Sequence, residues 1–431
     1  MHTARFNIVW LMLVIVFLLS AAALNVLVDP FDLFGTPRLA GFNVQKPNAS
    51  THTAMVKVYQ IERIAPLTVL FGTSRVDIGL DPDHPAWPKA LQPIYNYGFP
   101  AASILTTRQQ LQHALHAGPV RLAMVGLEFH DFLHPNIAQT AEPMEEERRF
   151  LAMARAGSDI VRTQQRAIDA ALVALTLTAV IDSIDTVLAQ RRSNAGDVTD
   201  HGLTSESPYA RLVRNDGHYH LFLQKEIGLV EVREHAVQAL SGRSPAEFAE
   251  MSYLRSLIEF CRERNIELKL FIPPYHARYL EVVDATGLWE RFENWKIAMV
   301  RLVEEYKGMS ASPPIVLWDF ASYDEYTTEA VPSKDDRQTT MKWFWEPLHY
   351  KKVLGDIMLW RMLAAGKQNF GVELSSYSIN ERLASGRKER EAYRKTHPGE
   401  IERIAALAQT ARQRAILTSR KKQLQQSAGG G

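Results

Sequence analysis

Near its C-terminal end the chain carries Glu346-Pro347-Leu348-His349, and near its start Gly72-Thr73-Ser74. A histidine on a loop can act as general base towards a serine hydroxyl. An acid three residues before it can hold the other ring nitrogen and fix the tautomer. A serine, histidine and carboxylate so arranged perform acyl transfer through a covalent intermediate. Taken singly the residues have plainer uses: Ser74 fits a helix N-cap, Glu346 a surface acid and His349 the cap of the next helix.

Other residues compete for places in such a site. His276, in Ile272-Pro273-Pro274-Tyr275-His276, follows a strand-like run and is expected to line the pocket. Asp319 ends another strand-like run and rivals Glu346 as the acid, although a turn or cap role is favoured. Trp343 and Trp345 flank the His349 loop and are candidates for stacking on a sugar ring, against burial as the default. His218-Tyr219-His220 reads as a strand with metal-compatible spacing but has no matching acidic cluster, so no metal is expected. No Walker A, GxGxxG or zinc pattern is present, and no cofactor is expected. The sequon Asn48-Ala49-Ser50 is too common to interpret.

These residues need a scaffold, and the pattern around them supplies one. Pro66–Gly72, Pro93–Gly98, Val120–Leu127, Ile266–Ile272 and Ile315–Phe320 are short apolar runs separated by helix-length segments, including Ser103–Ala117 and Ala246–Arg264. This alternation predicts an α/β fold with a parallel sheet covered by helices on both faces. Sites in such sheets form at the carboxyl ends of strands, where Ser74 falls. Residues 136–245 break the alternation and read as a helical insertion or lid. Its Ala170–Ile181 stretch is apolar for about 12 residues, too short to span a bilayer. The polar loop Arg191–Ser207 reads as flexible.

The whole chain of 431 residues is 46% hydrophobic and 23% charged, as globular proteins are. Its 49 Lys+Arg against 48 Asp+Glu give no signal for nucleic-acid binding. A single cysteine, Cys261, excludes an internal disulfide and any multi-cysteine metal site. The averages conceal two unlike ends. Ile8–Val28 is uncharged, with only Ser20 and Asn25 polar, and as a helix would cover about 30 Å, one hydrocarbon core. An uncleaved signal anchor is favoured over a cleaved signal or a buried helix. Residues 380–431 carry 12 Lys/Arg and 5 Asp/Glu, a net of +7 that leaves −6 on the rest. A basic, mostly helical tail can touch anionic lipid or polymer or simply be solvated.

Together the motifs resemble the SGNH (GDSL-type) hydrolase superfamily. In that family the first block carries the nucleophilic serine and the last block Asp-x-x-His; here Gly72-Thr73-Ser74 and Glu346-x-x-His349 stand in those places. Tyr95-Asn96-Tyr97-Gly98-Phe99-Pro100-Ala101 resembles the second block, and Val125–Asp131 occupies the place of the third. An N-terminal anchor, Asp29-Pro30-Phe31, and GTSR followed by Gly79-Leu80-Asp81-Pro82 look like anchored proteins of envelope polymer modification, in polysaccharide O-acetylation or teichoic acid D-alanylation.

The resemblance implies Ser74 as nucleophile, His349 as base and Glu346 as its orienting acid. It implies backbone N–H groups of Ser74 and the Gly98–Ala101 turn, with His130, as oxyanion donors. Thr73, Ala101, His130 and Glu346 all depart from the usual family residues. Arg75 is expected either to attract an anionic substrate group or to pair with Asp77 or Asp81. The division implied is an anchor (1–30), a first half of the SGNH-like domain (31–135), the insertion (136–245), a second half (246–366) and the tail (367–431). The expected activity is acyl-ester chemistry, as O-acetyltransferase or esterase, on a secreted or envelope polysaccharide. The expected place is the inner membrane, single-pass, with the main domain on the periplasmic side and a membrane-bound O-acyltransferase as partner. The alternative is a non-catalytic assembly or polysaccharide-binding protein on a degenerate SGNH fold. The separation of Ser74 from His349 discriminates between them.

Overall fold

A computed structural model of the chain describes residues 2–133, 145–154, 159–191, 196–240, 248, 250–307, 313–364 and 369–428. Strands β1 (Thr68–Phe71), β2 (Ile94–Asn96), β3 (Leu122–Gly126), β4 (Glu267–Ile272), β5 (Ile315–Asp319) and β6 (Val372–Glu373) form one sheet in the order β2-β1-β3-β4-β5-β6. The first five are parallel, and β6 joins the edge antiparallel to β5. All five expected strands are present; β6 is too short and polar to have been read as one.

Helices run over His2–Val28 (α1), Thr53–Ile64 (α2), Ser74–Gly79 (α3), Ile104–Ala117 (α4), Glu145–Ala154 (α5), Asp159–Leu175 (α6), Leu177–Ala189 (α7) and Ser207–Ala239 (α8). They continue over Met251–Glu263 (α9), Ala277–Ala285 (α10), Trp289–Tyr306 (α11), Lys352–Leu363 (α12), Ile379–Thr396 (α13) and Pro398–Ala428 (α14). The five parallel strands are covered on both faces, which is why they read as continuous apolar runs. Val69, Phe71, Ala123, Val125 and Leu270 meet one helical layer that includes Leu111, Leu257 and Trp295. Leu70, Leu122, Met124 and Phe271 meet the other, built largely from Leu354, Met358 and Leu359 of α12.

The strand order reverses direction around β1, so the ends of β1 and β3 border the crevice where such sheets hold their ligands. One close approach sets the distance between the two halves of the chain there. A Cβ on Gly355 of α12 would lie 1.7 Å from the Gly79 carbonyl oxygen of α3. Only hydrogens allow these helices to touch.

α1 is long and apolar enough to cross a membrane: Arg5–Val28 has a mean hydropathy of 2.8 and is 11% buried. That exposure rules out the buried-helix reading. Its last carbonyls are capped from the body, where Lys46 Nζ donates to Asp29 O at 2.5 Å and Asn43 Nδ2 to Val28 O at 3.3 Å.

Among the described residues of 145–190 there are three helices, of which α6 and α7 pack against α1. Residues 136–144 of the expected insertion and the terminal Gly429–Gly431 lie outside the described residues. The basic tail is not a solvated appendage: Arg390 pairs with Asp284 (2.9 Å), Arg394 with Glu281 (2.7 Å), Arg403 with Glu226 (2.5 Å) and Arg412 with Glu234 (3.0 Å). Ile404, Ala408 and Ala411 are buried beneath them. The tail's positive charge is matched to the body's negative charge.

Candidate active site

β1 ends at Phe71, and Gly72 turns the chain at φ +148°, where a Cβ would meet Val76 at 2.5 Å. Thr73 caps α3 by accepting from the Arg75 N–H at 3.4 Å, and its hydroxyl donates to Glu128 at 3.0 Å. Ser74 is therefore the first residue of α3. Its N–H has no intrahelical acceptor, and its side chain stands half-buried above the sheet.

Across the crevice, residues 344–350 form a closed loop. Phe344 and Tyr350 bridge, the Trp345 N–H donates to His349 O at 2.9 Å, and the Lys351 N–H donates to Trp343 O at 2.8 Å. This loop puts His349 Nε2 2.7 Å from Ser74 Oγ. On the other side of the ring Nδ1 donates to Glu346 Oε1. Glu346 Oε2 accepts from the Leu348 N–H at 3.1 Å. Burial raises the Glu346 pKa, but His349, its hydrogen bond, Lys225 and the Leu348 N–H outweigh burial and hold it below the ordinary glutamate value. Glu346 is thus an ionised carboxylate facing the imidazole. The loop brings residues 346 and 349 together. Asp319 is not a rival acid, because it is buried between Lys296 (2.7 Å) and Arg382 (3.1 Å).

The other expected site residues divide. Ala101 adopts φ +60°, a left-handed conformation that glycine takes at the least steric cost. The Gly98 N–H is not free for an oxyanion, since it donates to Asn96 Oδ1 at 2.9 Å. His130 lies on the turn Phe129–Leu133 after β3, and its Nδ1 accepts from Arg233. A guanidinium can only donate, so this contact assigns the proton of neutral His130 to Nε2, the tautomer an oxyanion donor requires.

Three expected substrate contacts are corrected. Arg75 is buried, pairs with Glu128 and lies 4.3 Å over the Tyr275 ring; a buried guanidinium needs such a partner, and neither Asp77 nor Asp81 provides it. His276 is buried, with Nδ1 accepting from the Arg278 N–H at 3.2 Å and Nε2 bonded to the Glu329 carbonyl at 2.8 Å. Burial first of all pushes its pKa down to about 3. Trp345 is also buried: its indole donates to Glu206 at 2.8 Å, and its ring stacks on Tyr209. His218 lies on α8 beside a kink at Gly217, not on a strand. It bonds Trp345 O at 3.1 Å and accepts from the Met341 N–H at 3.1 Å, so it braces the His349 loop.

Other contributors were not read from the sequence. Tyr209, half-buried, places its ring 4.9 Å from that of His349. Beneath Ser74, buried Lys57 of α2 donates to Asp77 at 2.6 Å and to Gly98 O at 2.8 Å. Thr204 donates to the same Asp77 oxygen at 2.5 Å. Burial holds Lys57 below the ordinary lysine range even beside Asp77. The 191–207 loop is thereby docked under the site in its described part, 196–207, and is not merely flexible. No protein-family model matches the chain, and no curated protein matches it in sequence.

Proposed function

We propose that the protein is a membrane-anchored acyl-ester enzyme of SGNH-like type that works by a Ser74–His349–Glu346 mechanism. The observation that carries this reading is the continuous relay from Ser74 Oγ through His349 to an ionised, buried Glu346. The relay stands at the carboxyl end of β1, at the crevice of the sheet. A merely structural histidine does not need a serine hydroxyl on one nitrogen and a carboxylate on the other.

In the proposed reaction His349 Nε2 takes the Ser74 proton as Oγ attacks the acyl carbonyl. Glu346 stabilises the imidazolium that forms. Collapse of the tetrahedral intermediate returns that proton to the leaving alkoxide and leaves an acyl ester on Ser74. Water or a sugar hydroxyl then gives its proton to His349, takes the acyl group, and Ser74 recovers its proton. The Ser74 and Ala101 N–H groups are the proposed oxyanion donors, each worth about 3–4 kcal/mol in such sites.

The substrate class we favour is an acetylated, secreted or envelope polysaccharide. The support is α1, which would hold the site beside a polymer leaving the membrane. The corresponding place is the inner membrane, with the body on the periplasmic side and a membrane-bound O-acyltransferase as acyl donor partner. The test is turnover of p-nitrophenyl acetate by the full chain in detergent. Wild type is expected to hydrolyse it and Ser74→Ala to fall to the solvent rate; equal rates would remove the serine from the mechanism.

A further inference from the structure

The large aliphatic residues of α7 are on its outside. Leu177, Ile181, Ile184 and Leu188 repeat at i, i+4, i+7 and i+11, and all are exposed. Its inward face carries Ala179, Ser183, Thr186 and Ala189. A helix of a water-soluble body has the reverse arrangement, with the large apolar side chains inside. α6 continues the inversion. Asp169 and Val173 face inward, while Leu172 and Leu175 are 45% and 60% exposed.

The two helices meet at Thr176 at 66°. With 17 and 13 residues they rise only about 26 and 20 Å, and neither crosses a hydrocarbon core alone. The elbow is nevertheless joined to α1, the one helix among the described residues that can. Both helices pack on the end of α1. Asn25, fully buried about one turn before α1 ends, donates to Ala174 O at 3.1 Å and accepts from Ser183 Oγ at 2.9 Å. Ala174 is in the last turn of α6, where carbonyls lack intrahelical partners. The only two polar residues of the apolar run are Ser20 and Asn25, and Asn25 is satisfied by this elbow. An amide in an apolar layer requires such internal pairing.

We infer that the α6–α7 elbow is a second membrane contact, seated in the leaflet from which α1 emerges. Its Leu172–Leu188 face is immersed in the acyl region, and the lipid bilayer is its partner. The inference rests on the reading of α1 as a membrane span. It also gives the site a fixed height: Asp169 accepts from Tyr59 of α2 at 2.8 Å, and α2 carries Lys57 to Asp77 beside the nucleophile.

The test uses the full chain in lipid vesicles, with an environment-sensitive fluorophore on single introduced cysteines. Ile181→Cys and Ile184→Cys probe the elbow, Leu19→Cys probes α1, and Lys89→Cys probes an exposed surface of the body. Native Cys261 is buried and its thiol is pushed up to about 12, so it stays unlabelled. The elbow probes are expected to match Leu19→Cys: blue-shifted, quenched by spin-labelled lipid and protected from aqueous iodide. Lys89→Cys is expected to show the opposite. Iodide quenching at the elbow with lipid quenching at Leu19→Cys overturns the inference and leaves the anchor standing. Resistance of the elbow to both quenchers also overturns it, because a second copy of the chain then covers the face. Iodide quenching at Leu19→Cys overturns the anchor itself, and the elbow's role with it.

Discussion

The loops 273–277 and 344–350 each present a buried histidine just before a helix, yet only one is equipped to move a proton. His276 has a backbone N–H on one nitrogen and a backbone carbonyl on the other. Neither partner can exchange a proton, and burial keeps the ring neutral. His349 has a serine hydroxyl on one nitrogen and a carboxylate on the other. The hydroxyl is a proton to take, and the carboxylate pays for the charge that taking it creates. What separates the two histidines is the chemistry of their partners, since both are buried and both are fully hydrogen-bonded.

The contrast can be broken most severely at His349. His349→Ala is expected to lower ester turnover on the order of 10⁴–10⁶-fold, and to lower thermal stability as well because it leaves the buried Glu346 carboxylate without its imidazole partner. A loss below tenfold in steady-state kinetics would put His349 in the same class as His276.

Glu346→Gln comes next, with an expected loss of about 10⁴-fold because the amide cannot stabilise an imidazolium. The pH profile sharpens it. Glu346 is held below its ordinary value of 4.5, so its contribution to stability is complete above that pH. It is lost as pH falls through the lowered folded value. Thermal melts of wild type should show this acid limb, and melts of Glu346→Gln should lack Glu346's share of it.

Beneath the site, Lys57→Met leaves Asp77 buried without its cation. A loss of about 3–5 kcal/mol in denaturant unfolding is expected, while catalysis in the folded fraction persists.

The smallest effect belongs to His276→Ala. It should cost about 1–3 kcal/mol by stranding the Glu329 carbonyl and the Arg278 N–H. Its kcat/KM at low temperature should stay within a few-fold of wild type, since a histidine that only positions a loop does not enter the rate law. Comparing unfolding curves with kcat/KM for the two histidine variants separates fastening from catalysis.

Much of this organisation was legible in the sequence, for physical reasons. Strands buried on both faces are unbroken apolar runs, and Gly72 and Gly126 mark where two of them end, so the parallel sheet could be read directly. Ser74 was legible as a candidate because it follows the end of β1, and the Glu346–His349 pair because an acid three residues before a loop histidine can reach its ring. The supports were not. Lys57, Asp77 and Thr204 meet in space from three distant segments, and an ion pair leaves no local pattern. Arg233 reaches His130 across 103 residues and assigns a tautomer that no spacing rule shows.

His218-Tyr219-His220 misled because three residues cannot distinguish a strand's period from a helix, and Gly217 hides the helix by kinking it. Trp345 misled because its indole N–H, which suits a sugar-facing tryptophan, is met by Glu206 inside the protein. The charge map was legible only as totals. The +7 of residues 380–431 and the −6 of the rest are largely the two sides of one packed interface.

The central claim is that Ser74 is a nucleophile activated by His349. Mass spectrometry of the full chain after exposure to a fluorophosphonate tests this most directly. The account predicts a single phosphonyl adduct on Ser74 in wild type, none there in His349→Ala, and an undiminished adduct in His276→Ala. An unmodified Ser74, or equal labelling with and without His349, would contradict it.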